Sequence, residues 1–112
     1  MNIYKKQILF SLILVLVSII GSFLNLFVVH SNGNLMPVYA DWTWSDDDKH
    51  FIFTDKSEVN YFYLTDIIPI QLMKFKGRMS VGDILLFSAM ILQITMGIIH
   101  LTKVWKMEKR KV

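Results

Sequence analysis

The sequence predicts an all-α membrane protein, a two-helix transmembrane hairpin joined by an ordered, partly interfacial extracytoplasmic segment. Residues 8–29 contain no charge, and residues 84–101 contain none apart from His100. At ~1.5 Å per residue, each run of roughly 20 residues matches the ~30 Å hydrocarbon core of a bilayer. The remainder of the 112-residue chain is too short to build a large soluble core.

The charge distribution predicts the orientation of the hairpin. The chain carries 12 basic and 9 acidic residues, and residues 30–83 hold five of the basic and eight of the acidic ones. Both flanks are basic, at Lys5 and Lys6 and again along the tail. Basic flanks stay in the cytoplasm, so we expect a cytoplasmic N-terminus (1–7), a first span (8–29), an extracytoplasmic segment (30–82), a second span (83–104) and a basic cytoplasmic tail (105–112).

Two further features of composition narrow the class of protein. The first apolar run exceeds the ~7–15 residues of a signal peptide's apolar region, so we expect an uncleaved anchor. The chain has no cysteine, which excludes disulfides and thiolate metal sites. The basic tail fits this topology and the attraction of anionic lipid headgroups, so the sequence predicts no nucleic-acid partner.

Polar residues recur every seven positions in both spans, which places each set along one side of a helix. Antiparallel pairing at matched depth would join Asn25 to Ser88 near the outer face. It would also join Ser18 to Thr95 and Ser11 to Thr102. Such residues permit close approach and hydrogen bonding between helices in lipid. Two alternatives stay open: Ser and Thr can bond their own i−4 carbonyl, and the stripes can face another protein.

A second polar stripe lies on a rotated face of the second span. It consists of Gln93 and His100, with the small residues Ala89 and Gly97 beside them. A polar residue within a span usually faces protein or water, and one hairpin buries one stripe. This stripe therefore favours an additional partner, although His100 is also near enough to the inner boundary to reach headgroup water.

Local signals predict the first half of the extracytoplasmic segment. Residues 31–34 have turn chemistry, because Gly and Asn tolerate positive φ. Pro37 favours an extended chain at Met36. Trp42 and Trp44 are expected in the headgroup layer, residues 46–49 at a hydrated loop tip, and residues 51–54 in a short strand.

The second half is predicted to lie on or near the membrane surface. Residues 57–73 have a broad apolar face that favours a helical or interfacial segment, and Pro69 should end or kink any helix. Residues 66–73 are too short to span, which favours a shallow re-entrant or surface-lying stretch. We expect Pro37 and Pro69 to be buried, their segments packing on each other or on the spans. Ser80 is the predicted N-cap of the second span, with Asp83 three residues later.

Three motifs in this order resemble a family of small bacterial membrane proteins of unknown function. They are the stretch from Asn32 to Val38 containing Met36 and Pro37, the segment 65–69 ending in Pro69, and the segment 80–86 that opens the second span. The resemblance covers roughly residues 30–86. It implies a location in the bacterial cytoplasmic membrane and an outer segment that carries the function, and it supplies no activity.

The patterns that signal catalysis or metal binding are weak. His30, His50 and the outer aspartates lack the spacing of zinc or calcium motifs. No nucleophile elbow surrounds Ser80, and helix capping explains this residue. Asp66 and Asp83 form a carboxylate pair that would suit cation or proton handling if they approached one another, but nothing else in the sequence indicates such a site.

The sequence therefore favours a non-enzymatic accessory subunit of a larger bacterial membrane assembly, without a cofactor. Its partner would be a larger membrane protein or complex, bound through the spans and the outer segment. The alternative is an extracytoplasmic module that binds or senses a peptide, lipid or cofactor headgroup, and a membrane enzyme ranks third. The residues predicted to bind the partner are Asn32, Met36, Pro37, Val38, Trp42, Trp44, Asp66, Ile67, Ile68, Pro69 and Gln93.

Overall fold

Two long helices form most of the molecule. The computed structural model describes residues 2–39, 49–73 and 75–111, with the backbone only at Phe75. Helix α1 spans Ile3–Ser31 and helix α2 spans Val81–Arg110, and each extends beyond the crossing predicted from its apolar run. By length and composition, both are apolar enough to cross a membrane. Most of their side chains are exposed, because each helix packs against its neighbour along a narrow stripe.

Side-chain hydrogen bonds make α2 begin where the sequence predicts. The Asp83 backbone N–H donates to Ser80 Oγ at 3.0 Å, and the Ser80 N–H donates to Asp83 Oδ2 at 3.4 Å. This reciprocal capping box satisfies backbone donors that the first turn of a helix leaves open. The negative charge of Asp83 also stabilises the positive end of the helix dipole.

The two helices pack side by side in antiparallel orientation. Asn25, late in α1, bonds to Asp83 at the start of α2, whereas Ser11 bonds to Gln93 farther along it. The closest approach joins Gly21 and Gly82, where an added Cβ on Gly21 would lie 2.7 Å from the Gly82 carbonyl oxygen. Two glycines thus allow direct backbone contact, as small residues do between membrane helices.

The middle segment (residues 32–80) contains short strands, so the expectation of an all-α protein is wrong here. Strand β1 (Met36–Tyr39) pairs in parallel with β2 (His50–Phe53). Strand β3 (Ile68–Leu72) forms an antiparallel hairpin with β4 (Phe75–Met79). Two 3-10 turns, Lys56–Glu58 and Phe62–Leu64, lie between these pairs.

Local chemistry explains which expectations for this segment hold. Gly33 and Asn34 adopt positive φ in the predicted turn, and the predicted strand forms as β2. The predicted helix at residues 57–73 does not form. Tyr61 is in the left-handed region at φ 55°, and Pro69 lies within β3. A left-handed residue and a proline without an N–H both interrupt helical hydrogen bonding, so the apolar residues there adopt turns and a strand.

A small core holds β1 in the middle of this segment. Met36, Pro37, Val38 and Phe53 are buried, whereas Pro69 is exposed. The expectation of burial is therefore confirmed for Pro37 and wrong for Pro69. Strand β3 belongs to a two-stranded hairpin, and Pro69 lies on the face that no described residue covers.

Asparagine side chains attach the middle segment to the end of α1. The Asn32 side chain accepts from the Asn60 backbone N–H at 2.8 Å and donates to its carbonyl at 3.0 Å. Asn60 in turn donates from its side chain to the Ser31 carbonyl at 2.7 Å. Phe27 and Tyr61 add a ring contact, with centroids 4.6 Å apart. These contacts hold the short turns against α1.

Candidate functional site

A polar cluster lies where α1, α2 and the middle segment meet. We call Asn25, Ser80 and Asp83 the junction cluster. The Asn25 amide donates to Asp83 Oδ1 at 2.8 Å, and Ser80 Oγ donates to Asn25 Oδ1 at 2.6 Å. Ser80 is fully buried. The amide thus links α1 to both capping residues of α2, and the bond to a carboxylate is of the stronger, charge-assisted kind.

Asp66 is a buried carboxyl beside this cluster, with 6% of its surface exposed. Its N–H donates to the Pro37 carbonyl and its carbonyl accepts from the Tyr39 N–H, both at 3.0 Å. Among the described residues, its Oδ1 has no hydrogen-bond partner. Burial, and then the negative charge of Asp83, raise the pKa of Asp66 to about 7, while His50 opposes the rise. The carboxyl therefore exchanges its proton near neutral pH.

Strand β1 positions Asp66 because it is bridged on both sides. Its Met36 N–H donates to the Lys49 carbonyl on the β2 side, and Val38 forms a parallel bridge with Asp66 on the other. Pro37 lacks the N–H that would continue pairing on the Asp66 side, so the contact stays a single bridge. Pro37 thus limits the pairing to one bridge, and the Asp66 carboxyl lies beside the junction cluster without a third full strand.

Arg78 connects the β3–β4 hairpin to the same region. Its Nη1 donates to the Ile67 carbonyl at 2.8 Å, and its guanidinium carbon lies 4.9 Å from the centre of the Tyr39 ring. This cation–π contact attaches β4 to β1. Within the part of the chain that the structure describes, no group of three or more His, Asp or Glu side chains is arranged to hold a metal ion.

The second candidate site is a cleft along one flank of the two helices. It consists of two cavities of about 450 Å³ and 410 Å³ that share Val15 and Gln93. We call them together the helix cleft. The first is lined by Tyr4, Gln7, Ile8, Ser11, Leu12, Val15, Gln93, Met96, Gly97 and His100. The second is lined by Val15, Ser18, Ile19, Ser22, Phe23, Leu26 and Gln93.

The predicted register between the helices is wrong. Asn25 was expected opposite Ser88 but bonds to Ser80 and Asp83, and Ser11 bonds to Gln93 instead of Thr102. The reason is that a carboxylate and a capping hydroxyl are better partners for the Asn25 amide than a serine that can bond its own helix.

Self-bonding also explains the other predicted pairing residues. The hydroxyls of Ser18, Thr95 and Thr102 donate to the carbonyls of Leu14, Ile91 and Ile98, each four residues earlier. Of the predicted seam on α2, Ser88, Thr95 and Thr102 are exposed. The alternative in which hydroxyl groups bond their own helix therefore describes three of the six residues.

Gln93 pairs the two helices, which is the role predicted for the other stripe. Its amide donates to the Ser11 carbonyl at 3.1 Å and its oxygen accepts from Ser11 Oγ at 3.4 Å. Of the other residues in its stripe, Ala89 is buried, whereas Gly97 and His100 are exposed. The stripe therefore packs on α1 only in its first half, where a small residue permits close approach.

The residues predicted to bind a partner through the middle segment have different environments. Met36, Pro37, Val38 and Asp66 are buried, Ile67 and Ile68 are half-buried, and Pro69 is exposed. The Asn32 side chain bonds to Asn60. Trp42, Trp44 and residues 46–48 of the expected loop tip lie outside the described residues.

Sequence reasoning found only some of the residues that set the distance between the helices. Leu14, Gly21 and Val28 are the buried residues of α1, and Gly82 and Ala89 are those of α2. The small residues Gly21 and Ala89 stand out in the sequence, whereas Leu14, Val28 and Gly82 were missed. Each set repeats every seven residues, as the hydroxyl groups do, but at other positions of the helix. The same sequence period was therefore the signal that could have identified these residues. Asn60 was missed as well, because nothing local indicates that it bonds across the chain.

The fold and the junction define a class of protein in which two packed apolar helices carry a small strand-containing middle segment. The model of DUF5317, a family of unknown function, matches residues 3–101, and the chain belongs to this family. The match includes the whole of α1, the whole middle segment and most of α2. No curated protein matches the chain. No solved structure matches it either.

Proposed function

We propose that this protein is a non-enzymatic accessory subunit of a larger bacterial membrane assembly. In this proposal α1 and α2 cross the cytoplasmic membrane as an antiparallel hairpin. Large apolar side chains are exposed along both helices, including Leu16, Ile19 and Ile94, each more than half exposed. In water such a surface is strongly unfavourable, whereas in hydrocarbon it needs no cover.

Charge supports one orientation of the hairpin. The start of α1 carries Lys5 and Lys6, and the end of α2 carries Lys103, Lys106 and a cluster of further basic residues. These ends lie on the same side because the helices are antiparallel. Both termini are therefore assigned to the cytoplasm and the middle segment to the other face.

The helix cleft is the single observation that carries the partner-binding part of the proposal. Its lining runs along α1 from Tyr4 to Leu26, which is roughly 33 Å at ~1.5 Å per residue. That length matches a whole membrane crossing, which favours a transmembrane helix as the occupant. Gln7, Ser11 and Gln93 place polar groups on its walls, and polar groups within a span favour protein neighbours.

The known bonds of the polar residues favour a structural role over catalysis. The Ser80 hydroxyl accepts from the Asp83 N–H and donates to Asn25, so its lone pairs and proton serve capping and helix pairing. A nucleophilic serine needs a base that removes this proton. The junction cluster instead fixes the angle at which the two helices leave the middle segment.

Co-purification with a matched pair of variants tests the proposal. The full chain, tagged in its native host, is extracted in a gentle detergent and its partners are identified by mass spectrometry. Gly97 lies in the cleft, and no atom lies within 4 Å of a Cβ added there. Gly97→Leu fills the cleft without disturbing the hairpin, so we expect it to lower recovery of a stoichiometric partner by about tenfold.

Ser88→Leu is the control, because Ser88 is exposed on α2 outside the residues that line the cleft. It should leave partner recovery unchanged. The absence of any stoichiometric partner from the native chain would contradict the accessory role. Equal loss with both variants would contradict binding through the cleft.

A second candidate function is an extracytoplasmic binding or sensing module, and Asp66 favours it. Its buried Oδ1 has no partner among the described residues, so this carboxyl can take up a proton without breaking a hydrogen bond of that oxygen. The two candidate functions differ in whether a partner protein co-purifies with the chain in a fixed ratio. An accessory subunit brings a partner protein during purification, whereas a sensing module is functional as an isolated chain.

A further inference from the structure

We infer that the β3–β4 hairpin is a membrane-contacting finger whose tip inserts into the headgroup layer next to α2. This inference rests on the proposed membrane-spanning hairpin and assigns a second contact with lipid. The tip is the connection after Leu72, where the strand pairing ends opposite Phe75. Met73 is 95% exposed and Leu72 is 71% exposed, so two neighbouring apolar side chains project from the end of the finger.

The backbone conformation of Met73 indicates that its side chain has a binding role at the tip of the hairpin. Two-residue connections between antiparallel strands favour Asn and Gly, because these residues adopt positive φ easily. Met73 adopts φ 53° in spite of its long apolar side chain. A methionine in this unfavourable conformation, almost fully exposed, is at odds with folding preference and with solubility. Contact with an apolar phase removes the exposure, and the free energy of that contact offsets the cost of the conformation.

The chemistry around the tip selects lipid over protein as the neighbour. Lys74 and Lys76 follow Met73 in the sequence, and Lys76 is exposed. Apolar side chains flanked by lysines suit a bilayer surface, where the apolar groups reach the acyl boundary and the ammonium groups contact anionic headgroups. A protein partner needs ~800 Å² on each side, which two side chains cannot supply.

The finger is also close enough to the proposed membrane boundary for its tip to reach it. Met79 ends β4, and Ser80, the next residue, caps α2. A five-residue strand spans roughly 17 Å, so the tip stays within that distance of the point where α2 begins. The proposed outer membrane boundary lies near that point, and the bilayer surface is within reach of Leu72 and Met73.

Spin labels at three sites of the full chain test this inference. The chain has no native cysteine, so Met73→Cys, Asp55→Cys and Leu16→Cys each give one labelled site. Asp55 is exposed in the middle segment, and Leu16 is exposed in the central part of α1. Each variant is reconstituted alone, without a partner protein, in phosphatidylcholine vesicles with or without phosphatidylglycerol. Collision rates with oxygen and with a water-soluble nickel chelate report depth.

We expect the label at Met73 to collide with the nickel chelate about threefold less often than the label at Asp55. Phosphatidylglycerol in the vesicles should increase the depth of the label at Met73, and Lys76→Glu should remove that increase. A label at Leu72→Cys, which keeps Met73 in place, should give the same depth. Equal nickel collision rates at Met73 and Asp55 would overturn the inference.

The label at Leu16 separates this inference from the proposals on which it rests. If Leu16 is protected and Met73 is not, the hairpin spans the bilayer and only the finger is wrong. If Leu16 is as accessible as Asp55, the spanning hairpin itself is wrong. Because no partner is present, failure of the accessory role cannot produce either result.

Discussion

Asp66 and Asp83 are neighbouring carboxylates with opposite environments. Asp83 accepts from the Asn25 amide and from the Ser80 backbone, and it lies at the positive end of α2. Asp66 is buried with one oxygen that has no partner among the described residues. A charge that is bonded at a helix end stabilises the fold, whereas a buried charge without full hydrogen bonding destabilises it.

Stability should therefore fall as pH rises across the titration of Asp66. Its pKa is raised from its ordinary value of 3.8 to about 7 in the folded protein. At pH values below 3.8 the Asp66 carboxyl is protonated in both the folded and the unfolded chain, so it does not lower the folding stability. Between pH 3.8 and about 7 only the unfolded chain has lost the proton, so the folding stability declines as pH rises. Above that range the decline is complete.

Asp66→Asn should remove this dependence and, at neutral pH, raise stability by about 2 kcal/mol after allowance for solvent screening. Thermal unfolding of the purified chain in detergent measures both effects. Every other ionisable group is the same in both proteins, so the difference between the two curves is the relevant quantity. Parallel curves would contradict the assigned ionisation.

At the scale of elements, the crossing of α1 and α2 depends on two glycines. A Cβ on Gly82 would meet Asn25 Oδ1 and would lie 2.6 Å from the Gly21 carbonyl oxygen. A Cβ on Gly21 would lie 2.7 Å from the Gly82 carbonyl oxygen. These neighbours include backbone atoms, which cannot rotate away, so any side chain there must separate the helices.

We expect Gly82→Ala to destabilise the hairpin by about 1–3 kcal/mol, as overpacking does in a close contact. Gly97→Ala is the matched control, since an added Cβ meets no atom within 4 Å and Ala favours the helix. Thermal unfolding in detergent compares the two. A neutral Gly82→Ala variant would show that the helices do not approach as described.

At the scale of the whole molecule, the antiparallel hairpin and its basic ends predict one topology, with both termini in the cytoplasm. Introduced cysteines test it in intact cells. Asp55→Cys should react with a membrane-impermeant thiol reagent, whereas Lys109→Cys should react only after the cells are opened, because cytoplasmic sites are shielded by the bilayer. The cysteine-free native chain supplies the background. Reversed labelling would overturn the orientation.

The sequence predicted the features that depend on neighbouring residues. The turn at Gly33 and Asn34 and the capping box of Ser80 and Asp83 formed as expected, and the strand predicted at residues 51–54 formed one residue earlier, at 50–53. Each depends on the φ preference or side-chain chemistry of a few consecutive residues. The hairpin of residues 68–79 was missed, because its strands need each other and a single apolar run fits a helix or a strand.

By itself, the sequence determined two long apolar helices and the start of the second. Composition and length decide whether a segment can form such a helix, and both are local properties. Only the tertiary structure decided the register of the helices, the burial of Asp66 and the cleft around Gln93. These features depend on which segments of the backbone can approach one another closely. Gly21 and Gly82 allow that approach at a place that the hydroxyl pattern does not indicate.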